Sequence, residues 1–95
     1  MIKVVAKKSC KEENMKEILS LLDELVRETR KEEGCILYEV FQDINAPKVI
    51  TIIEEWESEK ALEKHSASPH FTRLVPGIGE LCETKSEINI YRKII

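Results

Sequence analysis

The 95-residue sequence predicts an α+β domain in which two helices cover one face of a four-stranded sheet. Three observations predict this class. One long segment repeats its apolar residues every three or four positions, as amphipathic helices do. Four shorter segments are rich in β-branched residues or alternate in polarity, as strands do. Ser, Pro and Gly stand between these segments, where helices start and turns form.

The first part of the chain is predicted to form a strand and then a long helix. Residues 2–8 alternate weakly between apolar and other side chains, which predicts the strand. The helix is predicted at roughly 11–32, because one helical stripe collects its apolar residues, Met15, Ile18, Leu19, Leu22, Leu25 and Val26. Ser9 stands three residues before Glu12, which is typical of a capping box. Gly34 is a suitable stop for the helix.

Three further strands follow. Cys35 to Asp43 and Val49 to Trp56 are predicted as the second and third strands, joined by a turn over Asp43 to Pro47. Ser86 to Arg92 is predicted as the fourth strand. The chain contains no repeat and no linker, so residues 1–95 are predicted to form a single domain.

Two serines predict helix starts between the third and fourth strands. Ser58 is a suitable N-cap for a short helix, and Ser68 with Pro69 repeats the signal. Phe71, Leu74, Val75 and Ile78 follow Pro69 at helical spacing, but Pro76, Gly77 and Gly79 predict that this last helical segment is irregular. The predicted order is therefore β-α-β-β-α-β, the ferredoxin-like arrangement.

The second and third strands are apolar on both faces. The second strand has Ile36, Tyr38 and Val40 on one predicted face and Leu37 and Phe41 on the other; the third has Ile50 and Ile52 opposite Val49 and Ile53. A sheet with one face in water should instead alternate apolar and polar residues. Because monomers rarely expose a large apolar face, this pattern predicts a two-fold homodimer.

Composition excludes several classes of protein. The formal net charge is -3, with no basic patch, which argues against nucleic-acid binding. No apolar run approaches the length of a membrane span, and the charged N-terminus is unlike a signal peptide. Cys10, Cys35 and Cys82 form no Cys-x-x-Cys pair, which predicts free thiols in the cytoplasm. No metal-ligand cluster or nucleotide-binding glycine motif is present in the sequence, so neither a metal nor a cofactor is predicted.

Candidate functional residues concentrate between the third and fourth strands. Both histidines of the chain, His65 and His70, lie there with the aromatic residues Trp56 and Phe71 nearby. Histidine is the side chain whose ordinary pKa lies nearest neutrality, so this segment is the first candidate for proton-transfer chemistry.

Four short motifs support a family resemblance. They are Glu32–Tyr38 (EEGCILY), Glu54–Ser58 (EEWES), Leu62–His65 (LEKH) and Ser68–Phe71 (SPHF). In order and spacing the chain resembles the antibiotic biosynthesis monooxygenase family, and it is most similar to the small quinol monooxygenase branch. The motifs are specific for the fold family and much less specific for the substrate.

The resemblance implies a dimeric α+β barrel with an apolar pocket in each subunit. It implies that molecular oxygen oxidises a quinol or polyhydroxylated aromatic compound without metal, flavin or haem. His65 would then be the catalytic base and Tyr38 would orient a substrate hydroxyl. Trp56 and Phe71 would be apolar walls, and His70 would be a second polar contact.

From the sequence alone, the candidate residues also have structural explanations, and other functions remain open. His65 is equally well explained as a buried histidine held by a hydrogen bond, and His70 as a capping residue. Trp56 is also typical of a core residue, and Tyr38 of a residue at the barrel or dimer interface. The alternative functions are a non-catalytic small-molecule-binding module and an isomerase. Haem degradation is disfavoured, because that branch carries a Trp where His65 stands.

Overall fold

The computed structural model describes residues 1–95, which form a four-stranded sheet and three α-helices. In chain order the elements are β1 (Ile2–Ser9), a 3-10 turn (Glu12–Asn14), α1 (Met15–Thr29), β2 (Cys35–Asp43), β3 (Ala46–Trp56), α2 (Glu59–Ser66), α3 (Pro69–Glu80) and β4 (Glu87–Arg92). The strands lie in the order β2-β3-β1-β4, and every neighbouring pair is antiparallel. This order confirms the predicted ferredoxin-like fold.

The three helices pack on one face of the sheet, called here the inner face. Cross-strand pairing places its residues in rows, and one row contains Tyr38, Glu54, Val4 and Ile90. Helix α1 buries Ile18, Leu22 and Leu25, and α3 buries Leu74 and Ile78. The rows of the inner face and these helix residues form one apolar core.

The opposite, outer face of the sheet is covered by no helix. It presents the alternate residues of the central strands, including Val5, Val49, Leu37, Phe41 and Ile53. Phe41 is 47% exposed on this face. The outer face of the isolated chain therefore carries the apolar residues of β2 and β3 that the sequence pattern predicted, together with charged residues such as Lys3, Lys7, Glu39 and Glu55. No helix in the fold combines the length and apolar character that crossing a membrane requires.

The predicted start and end of the long helix are wrong. Ser9 belongs to β1, where its backbone N–H donates to the Thr84 hydroxyl at 3.2 Å, so it caps no helix. A 3-10 turn follows, and α1 begins only at Met15, with no side-chain cap at Asn14. The helix ends at Thr29, before the predicted limit of residue 32. Strand pairing of β1 therefore outweighs the local capping pattern.

A bulge corrects the predicted face of one residue in β2. Cys35 pairs with Trp56 and Leu37 pairs with Glu55, so the register shifts across Ile36. Ile36 is 52% exposed and does not share the inner face of Tyr38. The extra residue in a bulge reverses the face that simple alternation predicts. The hairpin turn is also shorter than predicted, because β3 begins at Ala46.

The segment predicted to be irregular is a continuous helix, α3. The Ser68 hydroxyl accepts the Phe71 N–H at 3.3 Å, and Pro69 occupies the first helical position. The Ser58 hydroxyl likewise accepts the Ala61 N–H at 3.1 Å at the start of α2. Both predicted N-caps are confirmed. Pro76 lies inside α3 and is exposed, so the helix continues despite the hydrogen bond that proline cannot donate.

Candidate active site

An open, mostly apolar cavity lies between the inner face of the sheet and helices α2 and α3. Its volume is about 270 Å³, and 11 of its 16 lining residues are hydrophobic. The sheet contributes Val4, Ala6, Ile52, Ile88 and Ile90, and the helices contribute Leu62, Phe71 and Val75. Ile88 and Ile90 are 58% and 61% exposed, because no helix covers β4. The cavity therefore opens along β4.

One carboxylate contacts both histidines, of which His65 borders the cavity and His70 does not. Glu32 lies in the loop between α1 and β2, and its Oε2 is 2.6 Å from His65 Nδ1 and 2.8 Å from His70 Nε2. His65 lies in the last turn of α2 and His70 at the start of α3. The Ser68 hydroxyl lies 3.1 Å from His70 Nε2 and also donates to the His65 carbonyl at 2.6 Å. The Ser68 cap thus joins both helices to the histidine pair.

The hydrogen bond to Glu32 determines the tautomer of the neutral His65 ring. Nδ1 donates its proton to the carboxylate, so Nε2 of the neutral ring carries the free lone pair. Nε2 is buried and has no hydrogen-bond partner in the protein, and His65 borders the cavity. Burial lowers the pKa of His65, although the Glu32 carboxylate opposes that shift. His65 is therefore an uncharged imidazole at neutral pH, able to accept a proton through Nε2.

Aromatic rings surround the His65 imidazole. Trp56 lies 4.6 Å from it between ring centroids, Phe71 5.1 Å and Tyr38 5.4 Å. The Phe71 and Tyr38 rings meet the imidazole edge-to-face, an arrangement that fixes its orientation. Phe71 and Tyr38 also border the cavity. Trp56 is fully buried and does not border it, so Trp56 supports His65 from the core.

Tyr38 keeps its hydroxyl proton in this environment. The residue is only 2% exposed, and it pairs across the sheet with Glu54. Burial raises the pKa of the Tyr38 hydroxyl, and the negative charges of Glu54 and Glu32 raise it further. Tyr38 is therefore a neutral hydrogen-bond donor at the cavity wall.

Sequence reasoning missed two carboxylates of the site, Glu32 and Glu54. Glu54 is 6% exposed, borders the cavity and accepts the Trp56 Nε1–H at 2.9 Å. Burial, reinforced by the charge of Glu32, raises the pKa of Glu54 to about 7, against the hydrogen bond from Trp56, which lowers it. The period of two along β3 was the available signal, because it places Glu54 on the same face as Ile52 and Trp56.

The Glu32 cluster also has the composition of a metal-binding set. The ligand atoms of Glu32, His65 and His70 all lie within 4.8 Å of one another. A carboxylate with two imidazoles suits divalent transition metals. A proton-sharing network is an alternative explanation for the same arrangement, because both histidines form short hydrogen bonds with Glu32.

Comparison with known proteins agrees with the fold. The family model "Antibiotic biosynthesis monooxygenase" matches residues 1–76. A Bacillus subtilis relative, "Putative monooxygenase YcnE", is 30% identical over 88 residues, which are 93% of each chain. A Synechocystis relative, "Uncharacterized protein sll1783", is 28% identical, and the matched region spans 56% of its length.

Solved structures extend the comparison to the whole chain. A conserved protein from Methanosarcina mazei is 44% identical with a TM-score of 0.96, covering 98% of this chain and 92% of that one. A structure described as an antibiotic biosynthesis monooxygenase is 37% identical with a TM-score of 0.95, covering all of both chains. The family match covers well over half of the residues, and these likenesses have the same fold throughout. The chain therefore belongs to the antibiotic biosynthesis monooxygenase family.

Proposed function

We propose that this protein is a monooxygenase that oxidises a quinol or a related polyhydroxylated aromatic compound with molecular oxygen. The observation that carries the proposal is the Glu32–His65 pair, which leaves the buried Nε2 of His65 without a partner on a residue that borders an apolar cavity. The family membership supports a monooxygenase, and the cavity supports a flat, mainly apolar substrate.

The proposed reaction begins with removal of a phenolic proton. His65 Nε2 accepts the proton, and the Glu32 carboxylate, 2.6 Å from Nδ1, stabilises the imidazolium that forms. The Tyr38 hydroxyl donates a hydrogen bond to the resulting phenolate, and Phe71 packs against the substrate ring. An apolar cavity keeps the phenolate poorly solvated and therefore electron-rich.

The electrons for oxygen reduction come from the substrate. For a simple hydroquinone, one O₂ is consumed, one oxygen atom is added to the ring, and the products are a hydroxyquinone and water. This stoichiometry balances without an external reductant, so we propose that no cofactor takes part. Glu54, the second buried titratable group at the cavity, accepts a hydrogen bond from the second substrate hydroxyl.

We further propose that the active form is a two-fold homodimer built on the outer face of the sheet. That face presents apolar residues of β1, β2 and β3, and Phe41 on it is 47% exposed. Two such faces packed together would form a barrel of eight strands. The three cysteines are free thiols, which supports the cytoplasm as the compartment.

Oxygen uptake by metal-free protein tests the function. Wild type, His65→Gln and Lys64→Gln are compared with a panel of chemically reduced quinones, each corrected for autoxidation. We expect uptake by wild type and by Lys64→Gln, whose altered residue is exposed on the same helix, and loss of about 100-fold or more in His65→Gln.

Three results would count against the proposal. Equal uptake by all three proteins would show that His65 transfers no proton. Turnover that persists under strict anaerobiosis would favour an isomerase, and tight binding of quinols without uptake would favour a binding module.

A further inference from the structure

Lys8 is a mostly buried lysine at the cavity, and no carboxylate of the protein forms an ion pair with its ammonium. It lies on the inner face of β1 between Ala6 and Cys10, and the residue is only 6% exposed. Lys8 borders the cavity together with Ser86. The Lys8 ammonium takes part in none of the seven ion pairs of the structure.

Three glutamates share a surface groove with Lys8, namely Glu80, Glu83 and Glu87, and none of them forms an ion pair with it. Glu83, which borders an adjoining groove with Lys8, pairs with Lys48 at 3.3 Å and accepts the Ser9 hydroxyl at 3.4 Å. Glu54 lies across from Val4, four residues from Lys8 along β1, which corresponds to about 13 Å of strand. The carboxylate of Glu54 and the ammonium of Lys8 therefore belong to different parts of the cavity.

A cation beside mostly apolar walls can form few contacts with the protein, and an anionic group of the ligand would give it a charged partner. The proton acceptor His65 and the hydroxyl of Tyr38 lie toward the Glu54 end of the cavity, because Tyr38 pairs with Glu54. A ligand that reaches both ends would thus present hydroxyl groups to one end and an anionic group to the other. The rest of the lining is mostly apolar and suits the ring between them.

We propose that Lys8 is a subsite for an anionic group, so that the preferred ligand is a hydroxylated aromatic compound that carries a carboxylate. This inference rests on the proposed function for the identity of the hydroxylated ring. The inference goes beyond the proposed function by naming Lys8 as the residue that selects acids over neutral quinols. At neutral pH an aromatic carboxylic acid is ionised and forms a charge-assisted hydrogen bond with the ammonium.

A matched pair of ligands isolates the carboxylate. We would measure the binding of 2,5-dihydroxybenzoate and of 2,5-dihydroxybenzamide by calorimetry under anaerobic conditions, which prevent turnover. The proteins are wild type, Lys8→Met, Lys8→Arg and Lys7→Met; Met keeps the length of the buried stem, and Lys7 is an exposed neighbour.

Wild type and Lys7→Met are expected to bind the acid about 10- to 100-fold more tightly than the amide. Lys8→Met should lose this preference with the amide affinity unchanged, and Lys8→Arg should keep it. The inference is overturned if wild type binds acid and amide equally, if it binds neither, or if Lys8→Met weakens both to the same extent.

Oxygen uptake separates this inference from the proposed function. One outcome is that wild type and Lys8→Met take up oxygen equally with neutral hydroquinone and that neither prefers the acid. This result would support the proposed function and exclude the Lys8 subsite. The opposite outcome is binding of the acid that depends on Lys8, with no oxygen uptake. This result would support the subsite and exclude the monooxygenase function.

Discussion

Replacing Glu32 with glutamine removes one negative charge from the centre of the candidate active site. The Oε2 atom of Glu32 accepts hydrogen bonds from His65 at 2.6 Å and from His70 at 2.8 Å. Glutamine keeps the size and shape of the side chain, so the substitution changes charge and hydrogen bonding without creating a cavity. Exposed Glu33, the next residue, offers a matched control in the same loop.

The loss of stability follows from the two hydrogen bonds. A bond to a charged group contributes about 1.5–3 kcal/mol to stability and a neutral one about 1 kcal/mol, so two bonds lose about 1–4 kcal/mol together. For a domain of this size, 1 kcal/mol corresponds to a fall in Tm of about 4–8 °C. Glu33→Gln is expected to change the free energy of unfolding by no more than about 0.5 kcal/mol.

The loss of activity follows from the proton on the imidazole. The glutamine amide can donate to Nδ1 of His65, which places the ring proton on Nε2 and removes the proton acceptor from the cavity. Oxygen uptake with a reduced quinone is therefore expected to fall by about 100- to 10,000-fold in Glu32→Gln. The reasoning would be refuted if Glu32→Gln matched Glu33→Gln in both Tm and oxygen uptake.

Three further predictions concern pH and assembly. Because burial raises the pKa of Glu54 from 4.5 to about 7, the native state binds a proton more tightly than the unfolded state, and stability falls as pH rises between these values. In urea unfolding, the free energy of unfolding of Glu54→Gln should therefore exceed that of wild type by about 3 kcal/mol near pH 8, and no such difference should appear near pH 4. An equal difference at the two pH values would contradict this prediction. Since the pKa of His65 is lowered from 6.5, kcat/KM for oxygen uptake by Glu54→Gln, which lacks the cavity carboxyl with a pKa of about 7, should fall with decreasing pH only below 6.5. An acid limb above 6.5 in that variant would argue against His65 as the base. Phe41→Glu on the outer face should yield monomers in sedimentation velocity. The control is Ile44→Glu at the hairpin tip, where Ile44 is 93% exposed, and this variant should remain a dimer. Dimers in both variants would exclude the outer face as the interface.

The sequence predicted the elements that local patterns control. The order of strands and the two serine N-caps could be predicted, because periodicity and capping act over a few residues. The capping box at Ser9 was wrong, because pairing of β1 decides the conformation there. The break expected at Pro76 was also wrong, since burial of Leu74 and Ile78 on the same helix stabilises α3 on both sides of the proline.

The candidate site was only half predictable, because its carboxylates depend on tertiary contacts. Glu32 and His65 are 33 residues apart, and no local pattern connects a loop glutamate with a helix histidine. Glu54 and Glu55 are adjacent in sequence, but Glu54 is buried at the cavity while Glu55 pairs with Lys3 at 3.6 Å. The period of two along β3 places the two glutamates on opposite faces, and the position of the helices then identifies the face of Glu54 as the one that belongs to the site.

Gly34 is the residue that lets the Glu32 loop approach α2 closely enough to reach His65. Its φ is +89°, and a Cβ at this position would lie 2.6 Å from the Ala61 Cβ. The Gly34 carbonyl also accepts the Glu57 N–H at 2.9 Å, which fixes the loop against the start of α2. Ala61 is one helical turn before His65, so displacement at Ala61 would also displace the imidazole.

Gly34→Ala is expected to lower the free energy of unfolding by about 2–5 kcal/mol, the sum of about 1–2 for the backbone conformation and about 1–3 for overpacking. Gly77→Ala is the matched control: a Cβ there meets no neighbour, and alanine in a helix should stabilise by about 0.5–1 kcal/mol. In a double-mutant cycle, Ala61→Gly should recover the overpacking part of the Gly34→Ala loss and leave the backbone part. If the two substitutions were simply additive, or if Gly34→Ala kept full oxygen uptake, close contact at Gly34 would not be what positions Glu32 on His65.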